Sequence, residues 1–341
     1  MKKEKTLSVV IPSYNAEKYL RTCLSSLCVP DLLEDLEVII VNDGSTDCTG
    51  DIAEEYSSKY PGTVRVMHKA NGGHGSGINS GIDIAAGKYF KVMDADDWAD
   101  KNALCNLVGF LKKTDADIVW SGFLWAYEKE GICPNDFHKR AEFSVPFPEV
   151  RWEEVYGFDL VADRLYIKMH NLTIRTSILK EHGIRVDEKC YYVDTEYILY
   201  PIPYVRTIAF IPDFVYMYRI GAAGQSMSRE KMQSNEKSIN TVLRSLFRFY
   251  RSLGKTVPCT PEKKVYIENL IARIVAGKYR IMLCMEPSVS CRKRMKEFDD
   301  MLKNRYPDIY NANINKAVKL LRSSGFSLYL PASALGKLVY R

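Results

Sequence analysis

Four apolar runs dominate the front of the chain: TLSVVIP (6–12), LEVIIVND (36–43), VRVMHK (64–69) and KYFKVMD (88–94). Runs like TLSVVIP lack the in–out alternation of a half-exposed strand, so they belong to strands buried on both faces. Between them the apolar residues switch to helical spacing, first at Tyr19, Leu20, Cys23, Leu24 and Leu27. They do so again at Ile52, Ala53 and Tyr56, where Asp47 can cap the start. A third helical stretch follows NGGHGSG (71–77), and a helix (100–113) and strand (117–123) come next. Strands alternating with helices fold as right-handed βαβ units, which predicts an α/β domain with a mainly parallel central sheet. Such sheets bind ligands at the carboxyl ends of their strands, where the strand order switches. Tyr14–Asn15, Asn42–Asp43, Asn71 and Asp94–Asp97 all fall at those ends.

Residues 124–165 read as a long irregular excursion with Pro134, Pro146 and Pro148, and 166–230 as short mixed elements closing in RIGAAGQSMS (219–228). From 231 the pattern is helical, over 240–253, 265–285, 291–304 and 313–323. The division is therefore an α/β region, 1–230, and a C-terminal helical extension, 231–341. Charge divides the same way. Residues 231–341 hold 22 Lys and Arg against 8 Asp and Glu, while 1–230 hold 26 against 34. Nine cysteines without a CxxC pair argue against a disulfide framework or zinc site, and fit reduced thiols in the cytoplasm. The apolar run before Pro12 is too short for a signal segment, and no run reaches the length of a membrane span.

The chemistry concentrates in KVMDADDW (91–98). Asp94 and Asp96 point to one side of an extended segment, and carboxylates so close repel unless protonated or bridged by a cation. Mg²⁺ or Mn²⁺ is the hard cation that carboxylate and phosphate oxygens favour. The plainer alternative is an acidic turn in which Asp97 or Asp100 caps the next helix. Asp43, in VNDGSTD, can accept from a base N–H or a ribose hydroxyl, or simply form a turn. NGGHGSG can cradle phosphate at a helix N-terminus, but fits neither GxGxxG nor GxxxxGK[ST]; otherwise it is a flexible connector. In YYVDTEY (191–197), Asp194 is a candidate general base or a helix cap, with Glu196 as its substitute.

Taken together, SVVIPSYNAEKYL, VIIVNDGSTDCTGDIAEEY, the NGG…N.GI…GKYFKVMDADDW block and YVDTEY resemble the inverting glycosyltransferases of family 2, which have the GT-A fold. The resemblance implies a nucleotide-binding half (1–125) and an acceptor-side half (126–230) in the catalytic domain. It implies that Pro12, Tyr14 and Glu17 lie along the nucleotide base and that Asp43 holds the uracil or ribose. Asn71, Gly73, His74, Asn79, Asp94, Ala95, Asp96 and Arg219 complete the expected nucleotide-sugar contacts. Asp94, Asp96 and Asp97 are the expected metal ligands for Mn²⁺ or Mg²⁺, with Asp96 central, and Asp194 the catalytic base. Tyr218, Arg219, Gln225 and Ser226 are expected to form a lid over the donor. His170, in KMHNLTIR, stands where relatives often carry a basic residue; its alternative is a structural histidine. Two departures stand out: Ile78 replaces the arginine that often precedes the Asn79 position, and Val193–Asp194 replaces Glu–Asp.

The expected reaction is transfer of a hexosyl or N-acetylhexosaminyl group from a nucleotide-diphosphate sugar, a UDP-sugar foremost. The acceptor would be a glycan or lipid-linked molecule in cell-surface polysaccharide or glycoconjugate synthesis. The alternative is a catalytically weak nucleotide-sugar-binding partner of another transferase. A sugar-nucleotide pyrophosphorylase is disfavoured, because PSYNAEKYL (12–20) lacks the basic Gly-rich triphosphate loop. The basic extension suggests peripheral contact with the inner face of the membrane, through LRSLFRFYRSL (243–253), and no nucleic-acid partner.

Overall fold

The computed structural model describes residues 4–128, 137–142, 144–220 and 235–339. The chain divides into two units, Met1–Lys189 with Glu196–Ala222, and Cys190–Thr195 with Ala223–Arg341.

The first unit is built on a ten-stranded sheet. The four apolar runs form β1 (Leu7–Ser13), β2 (Leu36–Asn42), β3 (Val64–His68) and β4 (Tyr89–Val92). They lie in the order β3-β2-β1-β4 and are all parallel. The order switches at β1, so the crevice beyond its end is the place for a ligand. Every residue of β1, β2 and β4 is buried. Val9 and Ile11 join the core under α1 (Glu17–Leu27), α2 (Thr49–Lys59) and α4 (Lys101–Leu111). Val10 points the other way, against α3 (His74–Ile84). That two-sided cover is why these strands carry no polar alternation.

Beyond β4 the sheet becomes mixed. The remaining strands are β5 (Trp98–Ala99), β6 (Ile118–Glu128), β7 (Phe137–Ala141), β8 (Val155–Gly157), β9 (Leu172–Arg175) and β10 (Thr207–Ile220). Short β9 sits antiparallel between β4 and β6, and β10 runs parallel to β6 with two register shifts. The parallel rhythm of the sequence thus describes the first half of the sheet. Tyr218 and Arg219, expected in a lid, belong to β10, where they pair with Trp125 and Ala126 of β6. The reason is the run TIAFIPDFVYMYRI, whose aromatic and β-branched residues favour a strand across the whole stretch. Gln225 and Ser226 lie outside the described residues. Helix α5 (Thr176–Glu181) follows β9, and α6 is Asp194–Leu199.

The second unit is helical, with its main helices at Glu236–Ser252, Pro261–Cys284, Val289–Arg305 and Lys316–Ser323. Thr260, Ser288 and Asn315 cap the last three by accepting backbone N–H bonds, which sets starts that apolar spacing alone does not reveal. Its core includes Val242, Leu246, Ile267, Ile271 and Val275. Asp299 is buried, accepting from Tyr279 Oη (2.5 Å) and Arg322 Nε (2.8 Å).

Candidate active site

The loops after β1 and β2 are stapled by reciprocal bonds. Glu17 N donates to Asp47 Oδ2 (3.1 Å), and Cys48 N donates to Glu17 Oε2 (3.0 Å). Thr46 N donates to Asn15 Oδ1 (2.9 Å). Glu17 therefore ties two loops together, and Tyr14 is left projecting with 55% of its surface exposed. Pro12 is buried beneath the first turn of α3, where a Cβ on Gly77 would come 2.6 Å from its Cβ.

Asp43 is buried and highly bonded. Its Oδ1 accepts from Lys69 Nζ and Gly72 N (both 2.9 Å), and its Oδ2 from Gly73 N (2.7 Å). A carboxylate offers about four lone-pair sites; three are engaged, so one remains on Oδ2. Asp43 thereby fixes the Gly-rich loop, in which Gly73 adopts φ +81° and Asn71 is exposed. The glycines of α3 serve close packing: a Cβ on Gly75 would lie 2.1 Å from the Asp187 carbonyl. Asn79 is buried and clasps the same segment, donating to Val186 O and accepting from Val186 N, both at 3.0 Å. Ile78 is buried in the core.

The carboxylate cluster stands directly beyond β4. His74 Nε2 lies 2.9 Å from Asp94 Oδ1. Burial raises the Asp94 pKa, but the bond to His74 and the nearby histidine charges outweigh it and hold this carboxyl below its ordinary value. Ala95 is buried, and Asp96 is half-buried. Burial and the Asp94 charge push Asp96 up to about 6. Asp97 is fully buried; burial and the charges of Asp96 and Asp94 drive its carboxyl far above the usual range. It accepts from Tyr216 Oη (2.5 Å) and Arg219 N (2.8 Å). Asp100, not Asp97, caps α4, accepting from Asn102 N and Ala103 N.

Three later residues complete the cluster. Tyr216 of β10 bridges it, its hydroxyl accepting from Asp94 N (3.0 Å) while donating to Asp97. Arg219 is buried, with Nε donating to the Asp96 carbonyl (2.8 Å) and its guanidinium about 5 Å from the rings of Tyr19, Trp98 and Phe137. His170 packs among Phe123, Tyr216 and Tyr218, and burial pulls its pKa down to about 4, so its ring is neutral at pH 7. Ligand atoms of Asp94, Asp97 and His170 lie within 4.8 Å of one another, and the buried His170 Nδ1 has no hydrogen-bond partner among the described residues. Oxygen donors whose charge strains their neighbours, beside an orphaned neutral imidazole nitrogen, suit a divalent cation. The residues present thus fit the expected metal.

Lys91 was not singled out by the motifs. It is fully buried in β4, Nζ donating to the carbonyls of His170 (2.8 Å) and Leu172 (3.3 Å), and burial lowers its pKa to about 7. Its signal was present: one charge inside an otherwise apolar strand. Asp194 opens α6 as an exposed carboxylate within Cys190–Thr195, the segment that belongs to the second unit. Glu196 belongs to the first unit, where it is buried, accepts from Asp187 N (2.6 Å) and is pushed by burial up to about 8.

A switched α/β sheet with a carboxylate cluster beyond β4 is the arrangement of the GT-A fold. Staphylococcus aureus TarS 1–349, solved in complex with UDP-GlcNAc, shares the fold with a TM-score of 0.64 at 16% identity, over 98% of this chain and 91% of that one. The profile of glycosyl transferase family 2 matches residues 8–180, and the chain belongs to that family. It is 27% identical over 264 residues to the uncharacterized glycosyltransferase EpsJ of Bacillus subtilis (strain 168), covering 76% of this chain and 74% of EpsJ. It is 30% identical over 224 residues to a poly(ribitol-phosphate) beta-glucosyltransferase of Bacillus spizizenii, covering 65% of this chain and 33% of that protein. Among the described residues, no helix is long and apolar enough to cross a membrane.

Proposed function

We propose that the chain transfers a hexosyl or N-acetylhexosaminyl group from a UDP-sugar to a hydroxyl of a glycan or lipid-linked acceptor, with inversion, in cell-surface polysaccharide or glycoconjugate synthesis. The observation that carries this reading is the grouping of Asp94, Asp97 and His170 beyond β4; Asp96, expected as the central ligand, is not in that group but adjoins Asp97 in the same turn. Asp94, Asp96, Asp97 and His170 would hold Mn²⁺ or Mg²⁺, which when bound offsets the negative charge of the diphosphate. Pro12, Tyr14, Glu17 and the open lone pair of Asp43 would bind the nucleoside. Asn71, Gly73, His74, Asn79, Ala95 and Arg219 shape the diphosphate side, with Arg219 acting by holding the Asp96–Asp97 turn in place.

In the transfer step, Asp194 takes the proton of the acceptor hydroxyl as that oxygen bonds to the anomeric carbon. The bond from that carbon to the β-phosphate oxygen breaks on the opposite face, and its electron pair leaves with the nucleoside diphosphate. The base is assigned to Asp194 rather than to Glu196, whose carboxyl is buried, already accepts from Asp187 N, and is pushed by burial up to about 8, so that it is mostly protonated at neutral pH. The reading includes peripheral membrane contact through the basic helices. Leu243, Leu246 and Phe247 pack inside the helical unit, so that contact would be electrostatic. The relatives' names support surface-polymer synthesis.

The test is a panel of nucleotide sugars screened by thermal shift with Mn²⁺ present and absent, followed by analysis of the product's anomeric configuration. A UDP-sugar that stabilises the protein only with the metal, and gives an inverted product, bears the reading out. Tight UDP binding without transfer to any acceptor would replace it with a non-catalytic binding partner.

A further inference from the structure

Within the helical unit, three helices enclose a groove of about 740 Å³. Arg244, Arg248 and Arg251 stand at i, i+4 and i+7 on one face of Glu236–Ser252, with Lys278 and Arg294 across from them. Like charges so spaced repel along a helix. Glu236, the one carboxylate lining the groove among the described residues, pairs with Arg294 at 3.2 Å. Arg244 spends its donors on its own helix, at Asn240 O and Thr241 Oγ1. Among the described residues, Arg248, Arg251 and Lys278 form no ion pair. Lys278 is drawn into the wall, its Nζ 3.8 Å from the centre of the Phe298 ring, and burial pulls its pKa down to about 8. Phe247 and Tyr306 stack face to face at 4.4 Å along the same wall.

We infer that this groove binds the phosphate groups of an anionic acceptor chain, such as a phosphodiester-linked or phosphorylated glycan. Guanidinium forks match phosphate oxygens two at a time, and the buried Phe247–Tyr306 stack gives them a firm wall. The groove is concave, with Leu243, Phe247 and Met282 buried in its wall, so a discrete chain can reach the arginines lining it from within, which a flat lipid surface cannot. The acceptor role rests on the glycosyl-transfer reading above; the binding itself does not.

The test is calorimetric titration of the full chain with inorganic tripolyphosphate. It compares wild type, the double variant Arg248→Gln with Arg251→Gln, and a control double, Lys303→Gln with Lys319→Gln, at exposed sites outside the groove. All four side chains are exposed, and water-driven donor hydrolysis serves as the check on folding. The groove variant should bind about tenfold or more weakly per arginine lost, the control within about threefold of wild type, and donor hydrolysis should persist in both. Absent binding in wild type, an equal loss in the control, or tighter binding to phosphatidylglycerol vesicles through the same arginines would overturn the inference. Binding through these arginines in a chain that hydrolyses no donor would support the groove and defeat only the transferase reading.

Discussion

Tyr216→Phe removes one oxygen from the centre of the carboxylate cluster and leaves the ring in place. That oxygen accepts from Asp94 N at 3.0 Å and donates to Asp97 Oδ2 at 2.5 Å, and the ring is fully buried. Orphaning the amide costs about 1–3 kcal/mol, and losing a hydrogen bond to a charged group about 1.5–3 kcal/mol. The second cost is partly relieved, because Asp97 already favours its proton through burial and the charges of Asp96 and Asp94. A net loss of about 2–4 kcal/mol is expected. Urea unfolding of both proteins measures it, in EDTA and across a Mn²⁺ titration. The variant should also need roughly tenfold more Mn²⁺ for half-maximal stabilisation, since Asp97 is held less firmly. A loss under about 0.5 kcal/mol with an unchanged Mn²⁺ requirement would refute the view that Tyr216 organises the cluster.

Gly77→Ala should destabilise by about 1–3 kcal/mol, because its Cβ would meet Pro12 Cβ at 2.6 Å; UDP affinity measured by calorimetry should fall with it. Glu196 has a folded pKa of about 8 against an ordinary 4.5, so its stabilising share is complete below pH 4.5 and lost as pH rises through 8. Glu196→Gln should therefore flatten the decline of unfolding free energy between pH 5 and 8, by up to about 4 kcal/mol on an order-of-magnitude scale; an identical slope in the variant argues against this. Asp194→Asn should cut transfer about 10²–10⁴-fold while leaving the donor Kd unchanged, and a variant that transfers at the wild-type rate removes Asp194 as the base.

The sequence displayed the nucleotide-side half of the fold because two-sided burial leaves unbroken apolar runs, as in Leu7–Ser13 and Leu36–Asn42. It was less informative where residues act across long separations. Tyr216 reaches the Asp94–Asp97 turn from β10, and His170 from the short turn before β9; the resemblance pointed to His170, but no local spacing marks Tyr216. Arg219 looked like a lid residue because it adjoins a Gly-rich stretch, yet its pairing with Ala126 makes it part of the sheet. The glycines of NGGHGSG suggested a phosphate cradle; Gly75 and Gly77 are needed where α3 touches Asp187 and Pro12. Composition reveals that backbones come close but not what they approach. The charge asymmetry of residues 231–341 was plain in the sequence, whereas the convergence of Arg248, Arg251 and Lys278 on one groove required three packed helices.

The carboxylates beyond β4 would bind a divalent cation together with the donor's diphosphate. The most direct measurement is UDP release from the stabilising UDP-sugar, by wild type and by Asp96→Ala, in EDTA and then with Mn²⁺ restored. EDTA should abolish wild-type release and Mn²⁺ restore it, with Asp96→Ala inactive at every Mn²⁺ concentration. Turnover by wild type in EDTA, or an active Asp96→Ala enzyme, would contradict this.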